Sequence, residues 1–198
     1  MIRCSSDNVD TFAEVLCGNS RTHYRYNGKC RPMEKLTRSN SWTGLFIDPT
    51  AAGSATLTAY RTVHGIVQSY GKVDGKRVAF VVARTTYMHE TESAIGFSQL
   101  NDPGVVTSSR TFQKAAMGIN FTFNWAYTDA KQTAYFLSGD YPRRAPGTSP
   151  DFPILGTGKY DWQGFDPKTW TADVIGFDEH PQAVDPAVLV SWNNKPAP

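Results

Sequence analysis

No stretch of this chain stays apolar long enough to cross a bilayer, and its opening, MIRCSSDNVD, lacks the apolar run of a signal peptide. The expectation is a chain with no membrane partner and no address of its own. A marked excess of either charge is also missing. Twenty basic side chains stand against eighteen acidic ones, a net +2, too balanced for a nucleic-acid or polyanion surface. Cysteine is scarce: Cys4, Cys17 and Cys30 make an odd number with no C-x-x-C pair, which argues against a zinc site and a full disulfide framework. Cys17 and Cys30 could still pair. A hairpin turning at Asn27-Gly28 sets Cys30 opposite Arg25, however, and a turn at Gly18-Asn19 sets Cys17 opposite Ser20, a register that separates the sulfurs.

Several catalytic signatures are absent as well. GTGKY at 156–160 has a phosphate-loop look, but Tyr160 follows Lys159 where Ser or Thr belongs, and Pro153 replaces the leading Gly. His89-Glu90 opens like a zincin helix, yet Ser93 occupies the position of the second histidine ligand. No G-x-S-x-G elbow supports a serine triad. Asn120-Phe121-Thr122 is a glycosylation sequon in form but falls in a segment expected to be a buried strand.

What the chain does have is β-formers and turn formers throughout. Aromatics make up 13%, and 16 Gly and 12 Pro are spread along its length rather than clustered, as in a β-rich protein with many turns. Residues 9–16 read as a strand with imperfect alternation, and HYRYNGKCRPME as two short strands. Residues 39–54 are rich in turn formers. ATLTAYRTVHGIVQSY and RVAFVVARTTYM form strand-like runs around the loop GKVDGK. Helical signals are confined to about 89–118; there Ser108 or Ser109 caps a helix whose Phe112, Ala115, Ala116 and Ile119 share a face. INFTFNWAYTD and TAYFLSG alternate as strands. From Tyr141 onward the chain reads as a long ordered loop, with Tyr160, Trp162, Phe165 and Trp170 to bury.

Five segments in order, YRTVHG (60–65), NFTFNWAYTD (120–129), GDYP (139–142), LGTGKYDWQG (155–164) and VSWNNKP (190–196), resemble the β-chain of the penicillin acylase family. DNVDTFAE at 7–14 also resembles that family's D-D-V-D-x-F-x-E segment. The resemblance implies an α+β, β-rich fold, a partial αββα sandwich of the N-terminal-nucleophile hydrolases, with residues 1–198 as one incomplete segment. It implies an amidohydrolase that cleaves linear amides, of the β-lactam side-chain or acyl-homoserine-lactone type, with links to antibiotic biosynthesis or resistance and quorum quenching. In that family a chain-terminal Ser, Cys or Thr attacks while its own α-amino group acts as base.

Residue by residue, Asn193 matches the family's oxyanion-hole asparagine, a neutral amide that donates to developing negative charge. Asp7, the carbonyl of Val9, Asp10 and the carbonyl of Pro150 match the ligands of a structural calcium, a hard cation suited to oxygen donors. Only Met1 to Ser6 precede Asp7, and they do not match the family's Gly-rich stretch. The nucleophile, the α-chain and the remainder of the β-chain are therefore expected as partners outside this segment, which alone should be inactive. The resemblance also implies a periplasmic or secreted location. The competing reading is a non-catalytic β-rich remnant or binding module, with Trp125, Trp162, Trp170 and Trp192 as ligand platforms.

Overall fold

The structure, a computed structural model, describes residues 8–44, 46–47 and 50–190. In chain order its elements are β1 (Val9–Val15), β2 (His23–Tyr26), β3 (Lys29–Pro32), β4 (Glu34–Trp42), β5 (Gly53–Arg61), β6 (Ile66–Val73), β7 (Lys76–Arg84), α1 (Ser93–Leu100), α2 (Ser109–Met117), β8 (Asn124–Thr128), β9 (Thr133–Leu137), β10 (Ile154–Leu155) and β11 (Gln182–Val184). Single 3-10 turns lie at Glu90–Glu92 and Phe177–Glu179. The chain divides into two compact units. One comprises the described residues within 11–83 and 153–159; the other comprises those within 8–10, 84–152 and 160–190.

The unit of residues 11–83 and 153–159 is built on a sheet of order β10-β1-β7-β6-β5-β4. β1 is an interior strand, and this explains its imperfect alternation: Phe12, Ala13 and Glu14 are all buried, so both faces of the strand are covered. β10 joins it in parallel, Phe12 opposite Ile154 and Ala13 opposite Leu155. β7 is equally central, with Val78, Ala79 and Val81 fully buried. β6 and β7 form the hairpin expected around GKVDGK, turning at Asp74 and Gly75, both with positive φ. A cluster of Leu16, Tyr24, Tyr26, Met33 and Ala79 fills the core, with Tyr60, Val63, Val67 and Tyr70 packed against it.

The stretch 39–54 behaves differently from its turn-rich composition. β4 runs on to Trp42 and β5 begins at Gly53, paired without interruption from Glu34↔Arg61 to Trp42↔Gly53. Cross-strand contacts override local propensity here. The Ser39 and Thr56 hydroxyls bond at 2.8 Å, and Trp42 lies over Gly53, where a Cβ would come within 2.8 Å of the indole. Trp42 also donates Nε1–H to the Ala51 carbonyl at 3.0 Å.

Cys17 and Cys30 form a disulfide, with Cα atoms 6.2 Å apart, contrary to the register expected from the two turns. Both turns exist. Asn27 and Gly28 carry the positive φ of a two-residue hairpin, Arg25 faces Cys30, and Ser20 N–H donates to the Cys17 carbonyl. The missing element was a longer-range one: Leu16 bridges to Tyr24 and Cys17 N–H donates to the His23 carbonyl. That pairing lays the end of β1 alongside β2 and brings the two sulfurs together.

The other unit combines α1 and α2 with a small sheet of order β11-β9-β8. Ser108 caps α2 in a reciprocal box with Thr111, and Phe112, Ala115, Ala116 and Ile119 are buried as the periodicity predicts. Phe112 and Ala116 pack on Ala134 and Phe136 of β9. Gln113 is buried beside them and donates to the carbonyls of Tyr135 and Ala183, linking α2 to two strands. Asn120 is buried, though in an irregular segment ahead of β8 rather than in a strand. Its side chain accepts from the Ser93 hydroxyl and donates to the His89 carbonyl at 2.7 Å, so the sequon asparagine is an internal brace. The long segment after Tyr141 is ordered around buried Trp162, with Phe165 packed edge-on against it.

Candidate functional site

Two acids on β1 are buried, one in each unit, each with its own set of donors. Asp10 and Glu14 lie four residues apart on one face of the strand, are 1% and 0% exposed, and have Phe12 between them. A buried carboxylate must be matched by donors, and each of these is matched by residues far away in sequence.

Asp10 is held by the segment that follows Tyr141. Arg144 Nε donates to Oδ2 at 2.9 Å and Nη2 to Oδ1 at 3.1 Å, a two-pronged contact, and Trp162 Nε1–H donates to Oδ2 at 2.6 Å. Backbone and side-chain bonds keep these donors in place. Gln163 N–H donates to the Arg143 carbonyl and Gln163 Nε2 to the Arg144 carbonyl, so the residues flanking Trp162 are tied to those flanking Arg144. The guanidinium and the indole together claim both lone pairs of Oδ2. Oδ1 also accepts from Arg144, from Nη2 at 3.1 Å and Nε at 3.2 Å, so this carboxylate, whose hard oxygens are of the kind that suits a hard cation, lies beside an arginine that already offsets its charge.

Glu14 sits in the other unit. Its Oε1 accepts from the Thr62 hydroxyl at 2.7 Å and from His64 Nδ1 at 2.8 Å, with His64 itself 1% exposed. The imidazole stacks flat on Phe12, centroids 4.0 Å apart, and meets Tyr26 edge-on. The order of this trio excludes a catalytic triad. In a triad the imidazole lies between hydroxyl and carboxylate, whereas here the carboxylate lies in the middle and accepts from both. Gly156 packs against the remaining oxygen: a Cβ there would fall 2.4 Å from Oε2, while its N–H donates to the Ala13 carbonyl. Gly158 likewise faces the Asn27 side chain, and Asn27 N–H donates to the Thr157 carbonyl. The glycines of GTGK thus serve close packing rather than phosphate binding.

A further group of titratable side chains, His89, Glu92 and Asp140, lies in the same unit as Asp10, near α1. His89 donates from Nδ1 to Glu92 at 2.8 Å and from Nε2 to the Thr169 carbonyl at 3.1 Å, and the bond to Glu92 above all raises its pKa. Burial raises that of Asp140. Among the described residues no three His, Cys, Asp or Glu side chains converge as a metal-binding group.

Of the residues singled out in the sequence, Asp10 is buried against Arg144 and Trp162. Val9 precedes it on β1, half-buried, and Pro150 lies in a turn-rich stretch, also half-buried. Asp7 and Asn193 lie outside the described residues, as does Trp192. The partners Arg144 and Trp162, and the roles of Glu14, Thr62, His64 and Gly156, were not read from the sequence. The one available signal was two acids spaced four apart on an otherwise apolar interior strand.

The segments YRTVHG, GDYP with its following arginines, and LGTGKYDWQG therefore supply the groups that meet Asp10 or Glu14. The penicillin amidase family model matches residues 3–198. The chain belongs to the penicillin amidase family. It is 33% identical over 205 residues to the penicillin G acylase of Escherichia coli, covering 96% of this chain and 20% of that protein. Among solved structures it matches a thermostable penicillin G acylase from Alcaligenes faecalis with a TM-score of 0.76 and 26% identity, over 97% of this chain and 32% of that one. The chain thus spans about a fifth of the curated relative's length. As a penicillin amidase family member it has the β-rich α+β fold that the resemblance implied.

Proposed function

We propose that this chain is the part of an amidohydrolase that carries one oxyanion donor and most of a structural cation site, for cleavage of linear amides of the β-lactam side-chain or acyl-homoserine-lactone type. The family match across residues 3–198 carries this reading. The nucleophile is a Ser, Cys or Thr at a chain terminus, supplied by polypeptide outside residues 1–198. Its α-amino group takes the hydroxyl or thiol proton during attack on the amide carbon and passes it to the departing amine; water then releases the carboxylic acid from the acyl-enzyme. Asn193 donates its side-chain N–H to the oxygen that becomes negative.

Calcium, if bound, has a structural role, held by Asp7, Asp10 and the carbonyls of Val9 and Pro150. The hard oxygens of buried Asp10 support this assignment, and Arg144 lowers the charge available to an ion there. The disulfide supports an oxidising compartment, periplasmic or extracellular.

The test has two arms. The 198-residue chain alone should not turn over phenylacetyl or long-chain acyl amides, and turnover that a substitution within 1–198 abolishes overturns the proposal. In the complete, processed acylase, Asn193→Ala should lower kcat by roughly a hundred- to thousandfold, about 3–4 kcal/mol, with little change in substrate binding. A near-normal rate removes Asn193 from the oxyanion hole, and a large loss in Asn194→Ala instead shifts the assignment by one residue.

A further inference from the structure

The near-neutral charge of the whole chain conceals a division. Residues 11–83 and 153–159 hold eleven Lys and Arg against four Asp and Glu, whereas the rest of the chain holds nine against fourteen. Within the basic unit the excess gathers in one region. No acid occurs from Val15 to Met33, and the first after it, Glu34, is bonded to Arg61. The turn leaving β1 brings three cations together. Arg77 Nη1 donates to the Gly18 carbonyl at 3.4 Å, and Arg21 lies over the Tyr70 ring at 4.3 Å while the Tyr70 hydroxyl donates to the Arg21 carbonyl. Lys72, two residues beyond Tyr70 on β6, is the direct cross-strand partner of Arg77. The Cys17–Cys30 disulfide ties this turn to the β2–β3 hairpin, which adds Arg25, Lys29 and Arg31. All six are exposed except Arg77, which is half-buried, and among the described residues none forms an ion pair with a carboxylate.

Like charges directly opposite each other on paired strands cost stability, so Lys72 facing Arg77, with Arg21 at the same turn, is an arrangement that an anion relieves. We propose that this basic region is a peripheral docking surface for anionic lipid bilayers, on which Arg21, Arg25, Lys29, Arg31, Lys72 and Arg77 meet headgroup phosphates. Two observations select a bilayer over a nucleic acid. Single-stranded nucleic acid is held by exposed aromatics on which bases stack, and here the neighbouring rings are taken: Tyr24 and Tyr26 are buried, and Arg21 covers the ring of Tyr70. The disulfide that anchors the hairpin persists in oxidising compartments, where a bilayer is the phosphate-bearing surface at hand. Docking of this kind is electrostatic and needs no spanning segment; a cluster of about four to eight Lys and Arg suffices.

The experiment is vesicle co-sedimentation of the 198-residue chain. Vesicles of phosphatidylethanolamine with about a third phosphatidylglycerol should bind it, phosphatidylcholine vesicles should not, and raising salt from about 0.05 to 0.5 M should release it. Lys72→Gln and Lys29→Gln should each weaken binding roughly fivefold, whereas Lys131→Gln and Lys168→Gln, exposed in the other unit, should change it less than about twofold. Lys72→Gln removes one of two opposed like charges, so circular dichroism should show it folding at least as well as the wild type; Lys29→Gln decides the matter if it does not. A chain that binds neither kind of vesicle, or both alike, overturns the proposal. Equal losses from Lys131→Gln and Lys72→Gln overturn it too, because net charge rather than this surface then governs binding. Tighter binding to a single-stranded oligonucleotide than to vesicles at the same phosphate concentration assigns the surface to nucleic acid, and overturns the proposal in that way.

Discussion

At Gly156 the chain has no room for a methyl group, because the carboxylate it would strike is pinned by Thr62 and His64 on its other oxygen. Gly156→Ala is expected to lower stability by about 1–3 kcal/mol in urea unfolding, as overpacking does in a filled interior. Coupling to Glu14→Ala should shrink the loss, since the truncated side chain leaves space for the new methyl; additive losses show that the two sites do not touch. Two histidines should give pH dependences of opposite sign. The folded-state pKa of His89 lies above the ordinary 6.5, so its contribution is complete below that value and lost as pH rises through the raised one. Burial lowers the pKa of His180, whose Nδ1–H donates to the Leu137 carbonyl while Nε2 is buried without a partner among the described residues. Its contribution is complete above 6.5 and lost as pH falls through the lowered value. In melting curves from about pH 5 to 8, His89→Gln should flatten the alkaline flank and His180→Gln the acid flank. Profiles that coincide with the wild type refute both assignments.

Elements differ in how far their own residues specify them. α2 was legible because a cap and a helical face are local: Ser108, Thr111, Phe112 and Ala116 lie within nine residues and act on one another. Composition misled at Ser39–Trp42, where turn formers sit in a strand because their hydroxyls and the Trp42 indole find partners on β5. The disulfide was missed for a related reason. Hairpin turns can be read from Asn27-Gly28, but the Leu16–Tyr24 bridge depends on strands meeting through tertiary packing. The crosslink closes a loop of separation 13, so Cys17→Ser should cost about 3 kcal/mol in the chain-entropy account. Equal denaturation midpoints for the oxidised and reduced wild-type chain contradict that role.

Across the whole molecule, Asp10 could be flagged from the sequence but its surroundings could not. Arg144 and Trp162 are 134 and 152 residues away, and no local pattern marks them as its donors. The calcium assignment can be tested at this scale. Millimolar calcium should raise the Tm of the wild-type chain by about 2–4 °C through mass action and leave that of Asp10→Asn unmoved; no shift in the wild type removes the ion from the account. The parallel pairing of β1 with β10 has a consequence for how the protein is made. Phe12 waits for Ile154, 142 positions further on (154 − 12), and at roughly 5–20 residues per second the ribosome needs about 7–30 s to deliver it. Until then one edge of β1 is open on the nascent chain. Closing so long a loop carries an entropy of about 4 kcal/mol, so the sheet gains its last strand late, and a truncated translation product ending before residue 153 should be bound by chaperones that release the complete chain.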